Sequence, residues 1–168
     1  EEYAVHSFAA ASNTGDAVGL VQELGAKLDF KTVKVPMFSP THHPYTLSMV
    51  WLCNDPGMIM VNRDGRRFMN EAAPPGQTGA LEGQSGHIGY AIFDASGAER
   101  MGAALVERTA QADNAADMVH WKDDLEYECT LDQAGKKAGT LEELAECIHM
   151  DPAVLRETVD TYNEGCAR

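Results

Sequence analysis

The sequence predicts an α+β fold: a small antiparallel sheet with hairpins, flanked by helices at both ends of the chain. Three observations carry that expectation. Val61–Glu71, read VNRDGRRFMNE, sets apolar Val61 and Phe68 on either side of Arg63-Asp64-Gly65. An Asp-Gly step between strand-like arms is the strongest short hairpin signal, because Gly accepts the positive φ of the turn. Thr140 and Glu143 stand at capping-box spacing, and Leu141, Leu144, Ala145 and Ile148 follow as a helical apolar stripe. Strand-like and helix-like segments are also grouped rather than alternating, which separates α+β from βαβ architecture.

Residues 1–12 are alanine-rich and carry no firm signal. Asn13 or Thr14 caps a helix running to about Lys27, with Val18, Val21 and Leu24 at helical spacing and Gly25 as its stop. Gly19 weakens it. Lys31–Val35 alternates as a strand, and Pro36, Pro40 and Pro44 then block regular structure. Thr46–Cys53 and Met58–Asn62 read as strands separated by the turn sequence Asn54-Asp55-Pro56-Gly57. Gly65 opens the next hairpin, and Arg66–Asn70 is its return arm. Ala72–Gly86 holds two prolines and four glycines and reads as a loop with a short helical turn near Ala80.

His87–Asp94 reads as a strand presenting Ile88, Tyr90 and Ile92 on one face. Helices are expected over Ala98–Arg108 and Asp123–Lys137, the acidic stretch Asp123–Glu128 forming a solvated face. Residues 109–120 receive no assignment. Asp151 caps the last helix, and Pro152 takes its first position, where a missing N–H costs nothing. Val154, Leu155, Val159 and Tyr162 line its inner side.

The chain has 168 residues, enough for one domain with a core. With 13 basic against 26 acidic residues, its formal net charge is −13. Such a surface repels nucleic acid and anionic lipid. Cysteines at 53, 129, 147 and 166 form no CxxC pair, so neither a zinc site nor a thioredoxin-type motif is expected. Histidines and carboxylates show no metal-ligand spacing. Every apolar run is far shorter than the ~20 residues of a membrane span, and Glu1-Glu2 does not start a signal peptide. Internal repeats and low-complexity tracts are absent. Gly83, Gly86 and Gly89 miss the spacing of a G-x-G-x-x-G loop, and no P-loop, HExxH or GxSxG occurs.

Three stretches together resemble the capping (clamp) domain of the fumarate reductase / succinate dehydrogenase flavoprotein family, the FAD-binding type 2 group with urocanate reductase-like and ketosteroid dehydrogenase-like relatives. VNRDGRRFMNE is one. Asn13-Thr14-Gly15-Asp16, then Leu20 and Glu23-Leu24-Gly25-Ala26-Lys27-Leu28, resembles the family's TGDG helix and its GA-x-L exit. Thr140–Ala145, Asp151-Pro152, Leu155, Thr158-Val159 and Tyr162-Asn163 resemble its tail. The matches fall in family order and span nearly the whole chain.

The resemblance implies a bacterial flavoprotein whose FAD domain is discontinuous, of which this chain is the cap plus one flanking helix, lacking the Rossmann FAD domain. Residues 1–28 then belong to or abut the FAD domain of the parent, and residues 29–168 form the capping and substrate domain. FAD is expected in the full-length parent, contacted by Asp16 with Gly15 and Thr14, and none in this fragment alone. A second reading of Asp16 is simple stabilisation of the helix dipole. The expected partners are the FAD-binding domain of the same parent chain and a small-molecule substrate. The parent's compartment, cytoplasm or cell envelope, is not fixed.

Family members place a Thr-Glu pair and an Arg before the hairpin, and a proton-donating Arg four residues after its closing Glu. A gapless count puts those positions on Val50, Trp51, Asn54 and Pro75. A fumarate site needs cations for two carboxylates and an acid to protonate carbon, and these residues supply neither. The expected activity is therefore FAD-dependent oxidation or reduction of a carbon–carbon bond in a small unsaturated organic acid or related substrate other than fumarate. Trp51 hints at an aromatic or bulkier ligand, or is core. His42 and His43 are the local candidates for substrate contact, or are solvated loop histidines. Tyr90 and His87 are further proton sources, with Tyr90 placed in a strand pattern. Arg66, Arg67, Asn70 and Glu71 read as structural. The alternative is a stand-alone ligand-binding or interaction module derived from the cap, with no catalysis.

Overall fold

The structure, a computed structural model, describes residues 14, 16–27, 57–71, 80–81, 83–113, 115–131 and 135–166. The chain divides into two compact units, Glu1–Lys34 and Val35–Arg168. The first contains helix α1 (Asp16–Glu23). Gly25, at φ 76°, ends it: the N–H of Gly25 reaches the Gln22 carbonyl at 2.9 Å and that of Ala26 reaches the Val21 carbonyl at 3.0 Å. This pair of bonds is a Schellman cap, so the helix stops at Glu23 rather than near Lys27.

The second unit holds strands β1 (Ile59–Val61) and β2 (Tyr90–Ile92). Helices α2 (Ala95–Thr109), α3 (Ala115–Met118), α4 (Trp121–Thr130), α5 (Leu141–Cys147) and α6 (Pro152–Cys166) follow. The described residues are thus mostly helical around a two-stranded antiparallel sheet. Ile59 pairs with Ile92, Met60 with Ala91 and Val61 with Tyr90. Alternation then sorts these pairs to opposite faces. Met60 and Ala91 join one core with Met58, Met101, Leu105, Met118 and Trp121. Ile59, Val61, Tyr90 and Ile92 join another with Ala145, Met150 and Leu155. Fully burying one such side chain stabilises by roughly 1.5–3 kcal/mol.

Local signals account for the helix starts. The Asp94 side chain accepts from the Gly97 N–H, beginning α2 three residues before the expected Ala98. Thr140 and Glu143 form the expected capping box, at 3.1 Å in each direction. Asp151 accepts from Ala153 N–H at 2.9 Å and starts α6 at Pro152.

Three expectations need correction. The strand expected over His87–Asp94 shortens to Tyr90–Ile92, because Ser85–His87 forms a 3₁₀ turn with Gly86 and His87 at φ 68° and 54°. Extended pairing is impossible at those dihedrals. The helix expected over Asp123–Lys137 is α4, which ends at Thr130, where Leu131 turns extended and Gly135 N–H folds back to the Glu128 carbonyl at 3.1 Å. Within it Glu128 is only 4% exposed, so Asp123–Glu128 is not a uniformly solvated face. The return arm expected over Arg66–Asn70 is a single bridge, Val61 to Arg67. Ala80 and Leu81 are helical as expected. The strands read at Lys31–Val35 and Thr46–Cys53 lie outside the described residues.

Candidate functional site

The hairpin is built by Asn62 and Gly65. Asn62 Oδ1 accepts from the N–H groups of Asp64 and Arg66, both at 3.0 Å, while the Asn62 carbonyl accepts from Gly65 N–H at 3.0 Å. The Asn62 N–H closes the loop on the Arg66 carbonyl at 3.0 Å. Gly65 is buried at φ 76°, and a side chain there would stand 3.5 Å from the Leu155 backbone N. The turn therefore needs glycine for its conformation and rests on the first turn of α6. Its tip also meets the 3₁₀ turn: Asn62 Nδ2 donates to Gln84 Oε1 at 3.1 Å, and the Arg63 guanidinium lies over Gly86.

Beyond the bridge, a side chain replaces the ladder. Glu71 Oε1 accepts from the Met60 backbone N–H at 2.8 Å and from Arg67 Nε at 3.0 Å. Its Oε2 accepts from Arg67 Nε at 3.1 Å and from the guanidinium's Nη2. Because the carboxylate occupies that strand edge, the return arm cannot extend as a strand. Arg67 in turn lies 5.1 Å from the centroid of the Tyr162 ring, a cation–π contact that ties the hairpin to α6. A groove of about 810 Å³ runs between the return arm and α6.

The electrostatics follow from these contacts. The Glu71 side chain is 7% exposed. Burial opposes its ionisation, but the hydrogen bonds from Arg67 and Met60 outweigh it and hold its carboxyl below the usual range. Glu71 in turn raises the Arg67 guanidinium further. Burial and a hydrogen bond with Cys166 push the Tyr162 hydroxyl up, so it stays protonated.

The structure brings Arg67 and Glu71 together, and adds Met60 and Tyr162, which the sequence reading did not connect to them. Their i,i+4 spacing was the available signal for the Arg67–Glu71 pair; nothing local signals Met60 or Tyr162. Tyr90 is half-buried and packs against the second core. His87 is half-buried at the end of the 3₁₀ turn. Asp16 is exposed in the first turn of α1 and Thr14 is exposed before it. Gly15, His42, His43, Val50, Trp51, Asn54 and Pro75 lie outside the described residues. Among the described residues no group of three or more His, Cys, Asp or Glu forms a metal cage. No helix there is long and apolar enough to cross a membrane.

The described residues form a mostly helical α+β arrangement with a clamped hairpin. Residues 2–168 match the family described as FAD binding domain. The chain therefore belongs to the FAD-binding type 2 oxidoreductases, the fumarate reductase / succinate dehydrogenase flavoprotein family, and the cofactor this implies is FAD. No solved structure matches it. The match is to the FAD binding domain itself, so the expectation of a chain lacking the Rossmann FAD domain finds no support in it. The described residues do not by themselves fit the cofactor. Asp16 suits a hydroxyl group but would repel a pyrophosphate, and among the described residues no glycine-rich loop presents backbone N–H groups to one. No chemical step is therefore assigned to the flavin here.

Proposed function

We propose that residues 29–168 serve as the capping domain of an FAD-dependent oxidoreductase acting on a carbon–carbon bond of a small unsaturated organic acid other than fumarate. Residues 1–28 supply a helix belonging to or abutting the FAD domain, with Asp16, Gly15 and Thr14 near the cofactor. The dinucleotide loop comes from another part of the same polypeptide. The observation that carries this reading is the clamped hairpin Val61–Glu71, held to β1 by Glu71 and to α6 by Arg67, in a chain of the FAD binding domain family. A cap must keep its shape while it closes, excluding water and walling the substrate. Carboxylate bonds from Met60 and Arg67 and an aromatic contact give this hairpin that rigidity. His42 and His43 are the residues proposed to meet the substrate. Pro75, at the position of the family's proton donor, is the ground for excluding fumarate.

Two measurements test it. Residues 1–168 mixed with FAD should elute colourless on gel filtration, whereas the polypeptide carrying its dinucleotide loop should purify yellow. Flavin absorbance co-eluting with residues 1–168 alone would overturn the division of labour. The yellow protein should reduce urocanate-like or cinnamate-like acids faster than fumarate, and robust fumarate reduction would show that Pro75 does not occupy the acid's position.

A further inference from the structure

The groove between the return arm and α6 has a free cation on one wall and a free anion on the other. Arg66 comes from the hairpin and Glu157 from α6, and both line the groove. Neither joins an ion pair or a side-chain hydrogen bond among the described residues. Arg67, beside Arg66, is already taken by Glu71 and Tyr162. Both free charges rise from fixed backbone. The Arg66 N–H is held by Asn62 Oδ1 and the Arg66 carbonyl by Asn62 N–H, each at 3.0 Å. Glu157 sits in the second turn of a 15-residue helix. Tyr162 and Met69 line the same groove, and a side chain added at Gly165 would meet nothing within 4 Å.

A simple anion attracted to Arg66 would be repelled by Glu157, and a simple cation the reverse. A ligand carrying both charges satisfies both walls. A guanidinium offers a planar fork for a carboxylate, and the groove is open enough to admit a small molecule. We propose that this groove binds an amino-acid zwitterion with an apolar side chain: its carboxylate on Arg66, its ammonium on Glu157, its side chain along Tyr162, Met69 and the open face at Gly165. The inference stands on the groove alone and does not rest on the capping reading.

L-Phenylalanine titrated into the 168-residue chain, followed by two-dimensional NMR, tests this. Saturable shifts at residues of the groove are expected. N-acetyl-L-phenylalanine, without the ammonium, and L-phenylalaninamide, without the carboxylate, should each bind about fivefold more weakly, the scale of one exposed charge pair. Arg66→Gln should weaken L-phenylalanine to the level of the amide and leave the amide unchanged. Glu157→Gln should do the same relative to the N-acetyl compound. Arg66→Lys, which keeps the charge but not the fork, should bind L-phenylalanine with an affinity between those of the wild type and Arg66→Gln, and Gly165→Leu should block binding while the melting curve stays cooperative. Equal affinity for the three compounds, or shifts confined to other surfaces, would overturn the proposal. So would absence of binding to the wild type, including the case in which Arg66 and Glu157 close on each other in solution.

Discussion

Helices α2 and α6 are each 15 residues long, yet they are held by different physics. Helix α2 buries Gly97, Ala98, Met101, Gly102, Leu105 and Thr109, half of them small. Those small residues let other groups approach its backbone. A Cβ at Gly97 would lie 2.6 Å from the Gly57 carbonyl oxygen, and one at Gly102 would lie 2.0 Å from Trp121 Cε2. Helix α6 buries only Leu155. It is fixed by Leu155, with Val159 and Tyr162 beside it, packed into the second core, and around its rim by the Asp151 cap, by Arg156 bonded to Glu142 of α5 at 2.9 and 3.0 Å, and by Arg67 over Tyr162. One helix is positioned by how closely backbone and ring can pack along its length, the other by a narrow apolar seam with polar contacts around its rim. A helix of the second kind leaves more of its surface open, and the groove lies there.

The tightest contact of α2 lies at Gly102. Gly102→Ala must push the buried Trp121 ring aside, at a cost of about 3 kcal/mol, the upper part of the overpacking range. Gly165→Ala on α6 meets empty space and should stabilise by roughly 0.5 kcal/mol through helix propensity, somewhat less than a mid-helix site gains. Urea unfolding of both variants measures the two signs. A harmless Gly102→Ala would mean that the ring does not pack against α2.

What was legible beforehand divides along the same line. Three caps were legible, because Thr140 with Glu143, Asp151 with Pro152, and Gly25 each act within a few residues of their own position; the Asp94 cap of α2 was not. The hairpin turn was legible for that reason too. The Trp121–Gly102 contact spans nineteen positions, and only the folded chain shows that this glycine matters. Glu128 looked like one more surface acid until α4 turned it inward. The late start of the strand expected from His87 had no signal, since His87 is a non-glycine residue at positive φ. At the candidate site the i,i+4 spacing of Arg67 and Glu71 is local, whereas the Met60 N–H and the Tyr162 ring come from elsewhere in the fold.

The middle-sized effect probes that clamp. Glu71→Gln keeps the shape but removes the charge that holds Arg67, and should cost about 2 kcal/mol at neutral pH. The folded carboxyl lies below its unfolded value of about 4.3. Its contribution is therefore complete above that unfolded value and is lost as pH falls through the folded one. The stability difference between wild type and Glu71→Gln should be flat from neutral pH down to about 5 and shrink below about 4. Urea melts across that range check it. A difference that grew on acidification would mean that the protonated acid, not the carboxylate, bridges Met60 and Arg67.

The smallest effect compares two helix ends built to one pattern with different residues. At the end of α5 the His149 N–H reaches the Glu146 carbonyl at 3.1 Å and the Met150 N–H reaches the Ala145 carbonyl at 2.8 Å, the same Schellman bonds that close α1. Met150 and Ala145 also pack in one core, the apolar contact that accompanies such caps. In α1 the left-handed position is Gly25 at φ 76°; in α5 it is His149 at φ 58°, which brings a Cβ into a conformation that L residues resist. Replacing His149 by Gly should stabilise by roughly 0.5–1 kcal/mol, the relieved strain less the extra freedom of glycine in the unfolded chain. His149→Ala should give no such gain, because alanine keeps the Cβ. Thermal melts of the two variants separate the causes: an equal rise in both would trace the strain to the imidazole's surroundings rather than to the backbone.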